Sequence, residues 1–174
     1  LTLSGTLDPA PMNEPHPFPP AEKWKYTQHH PFKDTYKTNH RSVYLMGARL
    51  NAVPFFQTFD GPDRNATTPT RDSSVTTVQA LYFLNNDFLH EQADRFAGRL
   101  LKEAPDTQAR LSRAFALTFQ REPSGDERAR LDAYFAAARE KLAAGGTPVE
   151  KHDKLIWASF ARALFRTNEF LYND

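Results

Sequence analysis

The prolines of this chain are placed so unevenly that they divide it before any other feature is weighed. Six of the thirteen, Pro9, Pro11, Pro15, Pro17, Pro19 and Pro20, fall in the first twenty residues. Each fixes φ and removes a backbone donor, so neither a helix interior nor a central strand suits this stretch. Residues 1–22 are expected to form an extended arm that lies against folded protein or a neighbouring chain, since long structureless segments otherwise serve as linkers. After residue 70 only Pro105, Pro123 and Pro148 remain, each at a helix boundary.

Between those boundaries the apolar spacing is helical. Thr76 is placed to cap a helix running to about Leu84, and Asn85-Asn86-Asp87 breaks it, because Asn and Asp side chains compete for backbone donors. A second helix runs from about Asp87 to Lys102, with Phe88, Ala93, Phe96 and Leu100 near one face. Asp106 caps a third that presents Leu111, Ala114, Phe115 and Thr118. Ser124-Gly125-Asp126-Glu127 has the pattern of a capping box. The helix behind it offers Leu131, Tyr134, Phe135, Ala138 and Leu142 for burial and ends at Gly145-Gly146. Thr147-Pro148-Val149-Glu150 reads as a second capping box with Pro at the first helical position. The last helix presents Leu155, Ile156, Phe160, Ala163 and Leu164. Residues 73–174 are therefore expected to fold as a bundle of three to four helices.

Residues 23–72 are different. Trp24, Tyr26, Phe32, Tyr36, Tyr44, Phe55, Phe56 and Phe59 crowd a stretch without helical periodicity. Lys23 to Thr27 alternates polar and aromatic residues as a half-buried strand does, and Arg41 to Met46 is its candidate hairpin partner. Pro54 and Asp60-Gly61-Pro62-Asp63 mark turns. The reading is a single mainly α domain over 1–174: an extended arm, an irregular aromatic layer with one short hairpin, and the bundle.

Composition narrows the function classes. The chain has no cysteine, so disulfides, thiolate metal sites, cysteine nucleophiles and covalent c-type haem attachment are excluded within it. Twenty-two Lys and Arg against 21 Asp and Glu leave a net charge of +1, without the basic excess of a nucleic-acid binder. No apolar run is long enough to span a membrane, and no signal-peptide pattern opens the chain. It starts Leu1-Thr2-Leu3 without an initiator Met, as expected of a piece of a longer protein.

Several short segments occur together in order: Thr27-Gln28-His29-His30-Pro31-Phe32, Arg41-Ser42-Val43-Tyr44-Leu45, Pro54-Phe55-Phe56 with Thr58-Phe59-Asp60-Gly61, Asn65-Ala66-Thr67-Thr68-Pro69 with Arg71, Gln79-Ala80-Leu81 with Leu84-Asn85, and Thr167-Asn168-Glu169-Phe170-Leu171-Tyr172. In this combination the chain resembles the planctomycete surface domain, a domain of unknown function, from about Leu3 to Asp174. Members often carry Pro where Thr77 stands and Asp-Pro where Asn86-Asp87 stand. The resemblance implies a domain that closes a large secreted or cell-surface bacterial protein bearing a planctomycete-type cytochrome c domain. It implies an extracytoplasmic location, with haem c elsewhere in the parent and no cofactor in this segment. It supplies no activity.

Residue by residue, the candidate chemistry is sparse. Asp60, Asp63, Asn65 and Arg71 gather polar groups beside the aromatic segment, the pattern of a ligand site. A calcium site would need more oxygens than the loop names, and no metal site is assigned. Asp60 with Asp63 would be the carboxylate pair if glycoside hydrolysis were sought. The competing reading is structural: a long loop must satisfy its own backbone, and Arg71 and Arg41 suit that task with their forks of donors. His29-His30 could lend an axial ligand to a neighbouring haem domain, or cap backbone groups of a polar loop. Asp87, His90, Glu91 and Asp94 share a helix face, and Glu150, His152 and Asp153 open the last helix. Half of a helical metal site needs matching ligands from other helices, so a solvated face is the better reading. No nucleophile elbow, phosphate loop or catalytic residue stands out.

The expectation is a non-catalytic structural or interaction domain. Its partners would be other domains of the parent, or a neighbouring subunit, with no nucleic acid and no membrane span. A carbohydrate-binding or carbohydrate-active domain using the 59–71 loop is the alternative, with polysaccharide as its partner. A module that docks a haem domain in electron transfer is the second alternative.

Overall fold

The computed structural model describes residues 1–12, 25, 27, 29, 38–45, 50–63, 65–67, 69–70 and 74–171. The protein is mainly helical. Its helices among the described residues are α1 (Pro54–Thr58), α2 (Thr77–Asn85), α3 (Asp87–Glu103), α4 (Thr107–Phe119), α5 (Gly125–Ala144), α6 (Val149–Leu164) and α7 (Asn168–Leu171), with one 3-10 turn at Ser42–Tyr44. They group into two compact units, Leu1–Thr6 with Phe83–Asp174, and Leu7–Tyr82.

In the first unit α3 and α6 form the centre. Ala93, Phe96, Ala97 and Leu100 of α3 are buried with Ile156, Trp157, Phe160, Ala161 and Leu164 of α6. The alanines let the two helices approach closely, and the aromatic rings fill the space around them. Phe135 enters from α5, its ring 4.7 Å from Trp157 and 5.6 Å from Phe160. Leu111, Ala114 and Phe115 close the core from α4. The expected bundle is thus present.

The helix starts follow the expected caps at Thr76, Asp106 and Ser124 but not at Thr147, and Asn86, expected only to break the preceding helix, caps α3. Asn86 accepts from Phe88 N, Asp106 from Ala109 N, and Ser124 from Glu127 N. The Glu127 carboxylate accepts in return from Ser124 N, completing the capping box. Thr76 and Gln79 make the same reciprocal exchange at α2. Thr147 does not cap α6: Pro148 is the N-cap, with ψ 135, and no side chain caps the helix. The reason lies in the preceding helix. Gly146 turns left-handed at φ 70, and its N–H and that of Thr147 donate to Ala143 O and Leu142 O. That closes a Schellman motif. Thr147 is thereby committed to ending α5, and α6 begins one residue later than expected.

The arm is also not extended throughout. Residues 2–5 form a turn, with Gly5 at φ 72 and Thr6 N donating to Leu1 O. The turn is held on α3. Ser4 and Thr6 hydroxyls converge on Gln92 Oε1, and Arg99 Nη1 donates to Thr2 O and Leu3 O. Pro15, Pro17, Pro19 and Pro20 lie outside the described residues.

The second unit holds the described part of the aromatic layer. The expected hairpin partner at 41–46 is instead a 3-10 turn over Ser42–Tyr44, where Tyr44 N and Leu45 N bond back three residues. Of the first proposed strand, Lys25 and Thr27 are exposed and in no strand, and Trp24 and Tyr26 lie outside the described residues. An isolated parallel bridge joins Asp8 to His40. Pro54, read as a turn, starts α1, whose fixed φ suits the first helical position. One turn of helix puts Phe55 and Phe59 side by side at 4.8 Å, and both rings meet Tyr82 at 6.0 and 5.5 Å. These aromatics form a small satellite core, as irregular segments require.

Candidate functional site

The polar loop that the sequence singles out is closed at its base. Asp60 follows α1 in the left-handed region at φ 51. Its carboxylate accepts from Ser74 N at 2.8 Å and from the Ser74 hydroxyl. The buried Gln79 amide donates to Thr58 O at 3.0 Å and to Ser74 Oγ at 3.3 Å. Gly61 is required there: its N–H donates to Phe56 O at 2.7 Å, and a Cβ would meet Phe56 Cβ at 2.6 Å. Asp63 Oδ1 accepts from Asn65 N at 2.8 Å, a local turn, and both residues are exposed. Arg71 lies outside the described residues. Asp60 therefore secures the loop, while Asp63 and Asn65 face solvent.

The other candidates find ordinary partners. His90 Nε2 lies 2.9 Å from Leu84 O, Glu91 pairs with Arg95, and Asp94 pairs with Arg162. Buried His152 donates Nε2–H to Thr147 O at 2.9 Å, and Asp153 sits between Arg110 and Arg139. Among the described residues no three carboxylates or imidazoles are grouped to hold a metal. His29 is exposed and its backbone N–H donates to Thr27 Oγ1, while His30 lies outside the described residues. Arg41, expected to be buried or paired, is exposed and its side chain has no hydrogen-bond or ion-pair partner among the described residues. The carbonyl-gripping task falls instead to Arg99, to Arg110 on Ala104 O and Pro105 O, and to Arg166 on Phe83 O and Leu84 O.

A feature that sequence reasoning missed lies in the first unit, along the seam of α5 and α6. Of the five residues expected to be buried on α5, Phe135 is fully buried, Leu131, Ala138 and Leu142 are half-buried against the core, and Tyr134 is exposed. Tyr134 remains 38% exposed and Leu155 of α6 44% exposed, and Ala163 is also exposed. They line two adjoining hollows. One, of about 310 Å³, is walled by Phe115, Phe119, Leu131, Tyr134, Phe160 and Ala163. The other, of about 320 Å³, continues past Tyr134 along Ala138, Leu142, Leu155 and Ser159. Together they make an apolar groove beside α5.

One end of the groove is fixed by an ion cluster. Arg121 donates through Nη1 and Nη2 to the two Glu127 carboxylate oxygens at 2.8 and 2.7 Å, and through Nε to Glu169 at 2.6 Å. Its guanidinium also stands 5.2 Å from the Phe115 ring centre and 5.5 Å from that of Phe119. The hydrogen bonds from Arg121, helped by Ser124 N–H, hold the Glu127 carboxyl down at about 2. Glu169 is lowered by the same guanidinium, and Arg121 is pushed above its usual range. The cluster ties the start of α5 to α7, its one guanidinium shared between two carboxylates. The signal available in sequence was the apolar column Leu131, Tyr134, Ala138, Leu142, of which only Tyr134 ends up exposed.

No curated protein and no solved structure gives a match. Residues 1–135, which take in both the closed loop and the first half of α5, match the model of PSD1, a protein of unknown function (DUF1553), and the chain belongs to that family.

Proposed function

We propose that this chain is a non-catalytic interaction domain of a larger extracytoplasmic bacterial surface protein, standing at its C-terminal end and accompanied there by a cytochrome c domain. The observation that carries the reading is the open apolar groove of α5 and α6. Apolar surface left in water forgoes about 25 cal/mol for each Å², and contiguous patches of it on folded domains mark contact surfaces. The family resemblance supplies the setting, a polypeptide whose other segments carry haem.

The test uses the remainder of the parent polypeptide, expressed separately and titrated calorimetrically into this chain and into Tyr134→Asp. Binding that is lost in the variant, with an unchanged thermal melt, supports the reading. Equal binding by both proteins would sink the groove as the contact face. A second reading has its own observation: exposed Asp63 and Asn65 stand on a loop that follows the exposed ring of Phe55, the pairing of polar groups and aromatics that sugars use. Retardation of wild type, but not of Asp63→Ala, on polysaccharide-containing gels would favour it.

A further inference from the structure

We infer that Asn65 is an acceptor for an N-linked glycan, a modification that rests on the extracytoplasmic location proposed above. Of the eight asparagines in the chain, Asn65 alone has a hydroxyl residue two places on with no proline between, in Asn65-Ala66-Thr67. That triplet is the pattern that oligosaccharide-transferring enzymes read, and it serves only where they can reach it. The fold presents it. Asn65, Ala66 and Thr67 are all exposed and lie in neither helix nor strand. The Asn65 carboxamide and the Thr67 hydroxyl hydrogen-bond to nothing among the described residues, so both groups that an enzyme must grip are free. Asn86, by contrast, commits its side chain to capping α3.

The base of the loop holds the triplet out. Asp60 fastens Ser74, Gln79 fastens Thr58 and Ser74, and Gly61 N–H returns to Phe56 O. The chain over 61–73 is thus tied at both ends, with Asn65 four residues after Gly61 and nine before Ser74. Within it Asp63 Oδ1 accepts from Asn65 N at 2.8 Å, a turn that sets a carboxylate two places before the acceptor. Asp63 is exposed and pairs with no cation among the described residues, so its charge is open to a cation of the transferring enzyme. Asp63, Asn65 and Thr67 therefore offer an acid, a carboxamide and a hydroxyl at alternate positions of one exposed segment.

The co-substrate is an oligosaccharide carried on a polyprenyl diphosphate. Asn65 Nδ2 bonds to C1 of the reducing-end sugar as the C1–O bond to the diphosphate breaks. The lipid diphosphate leaves with that electron pair, Nδ2 gives one proton to a base of the enzyme, and nothing is oxidised or reduced. The product carries a bulky, hydrophilic group on a loop whose base is fixed independently of it.

The experiment incubates the full chain with a bacterial oligosaccharyltransferase and its polyprenyl-diphosphate-linked oligosaccharide, then locates the glycan by mass spectrometry of the tryptic peptide spanning 65–71. One glycan is expected, on Asn65. Asn65→Gln and Thr67→Ala should abolish it, and Thr67→Ser should keep it. Asp63→Asn, whose amide oxygen can hold the same turn without the charge, should slow transfer at least about tenfold. Thermal melts of these variants should match wild type, since the replaced side chains are exposed. A wild-type chain left bare, while an acceptor peptide in the same tube is glycosylated, overturns the inference. So does transfer that survives Thr67→Ala, and an unchanged rate in Asp63→Asn overturns the role given to Asp63. Native protein separates the inference from the location on which it rests. A glycan on the 65–71 peptide supports both. Bare Asn65 in protein recovered outside the cytoplasmic membrane overturns the inference alone, and protein recovered from the cytoplasm overturns the location and with it the modification.

Discussion

α3 and α5 are both long helices of the same unit, yet they are held in opposite ways. α3 has 17 residues and fully buries Gln92, Ala93, Phe96, Ala97 and Leu100, whereas α5 has 20 and fully buries only Phe135, with Leu131, Ala138 and Leu142 half-buried. α3 owes its stability to an apolar face matched by α6, the usual source of helical stability in a folded protein. α5 is sustained by local terms. It has a capping box at one end, a Schellman motif at the other, and an alanine-rich body with intrinsic helix propensity. A helix secured at its ends need not bury its whole apolar column, and α5 leaves Tyr134 exposed. The groove is a consequence of that economy.

The contrast can be broken at α3 first. Phe96→Ala should cost about 3–5 kcal/mol, because a fully buried aromatic leaves a cavity among packed neighbours. Tyr134→Ala should cost less than about 1 kcal/mol on the same reasoning, since part of its ring is already in water. Urea midpoints of the two variants measure the difference. Similar losses would mean that α5 is held by packing after all.

Next come the ends of α5. Gly146→Ala forces a Cβ into the left-handed region at φ 70 and should cost about 1–2 kcal/mol, although nothing crowds the position. Ser124→Ala removes the N-cap and should cost about 1 kcal/mol, whereas Thr147→Ala, whose side chain caps nothing, should stay within about 0.5 kcal/mol. Equal effects of the Ser124 and Thr147 variants in thermal melts would contradict the assignment of Thr147 to the end of α5.

The smallest expected effect is the pH dependence of the cluster that ties α5 to α7. Glu127 is depressed in the folded state, from an ordinary value of 4.5 to about 2. Its contribution to stability is therefore present above pH 4.5 and is lost as the pH falls toward 2. The pair is partly exposed, so the gain is less than about 1 kcal/mol. The stability difference between wild type and Arg121→Gln, followed by denaturant melts, should be constant above about pH 5 and shrink below it. A difference that does not change between pH 5 and 2.5 would remove Glu127 as the partner that matters.

Much of the bundle could be read along the chain because its signals are local. Asp106 and Ser124 cap donors three residues away, so spacing alone locates them. The Thr147 cap was misread for an equally local reason. Two motifs, the end of α5 and the start of α6, compete for one residue, and sequence pattern cannot say which wins. The guanidinium contacts were legible only in kind. That arginines would pin irregular backbone is a general expectation, but Arg99 reaches carbonyls 96 and 97 residues away, and nothing in the neighbourhood of Arg99 announces that. At the candidate loop, turn chemistry marked Asp60 and Gly61, but Ser74, which Asp60 holds, and Gln79, which holds Ser74 and Thr58, come from beyond the loop.

What the sequence determined by itself was the mainly helical class, most helix boundaries, and the separation of a proline- and aromatic-rich region from the bundle. Those follow from backbone restriction, capping and periodicity, which act over a few residues. Which apolar columns would be buried was decided only by the tertiary structure. Phe135 and Tyr134 are neighbours of similar size on the same helix, and one is enclosed by Trp157 and Phe160 while the other stands at the mouth of a groove. Hydrophobicity is a property of a side chain, but burial is a property of what folds back to cover it, and for Tyr134 that cover is incomplete among the described residues.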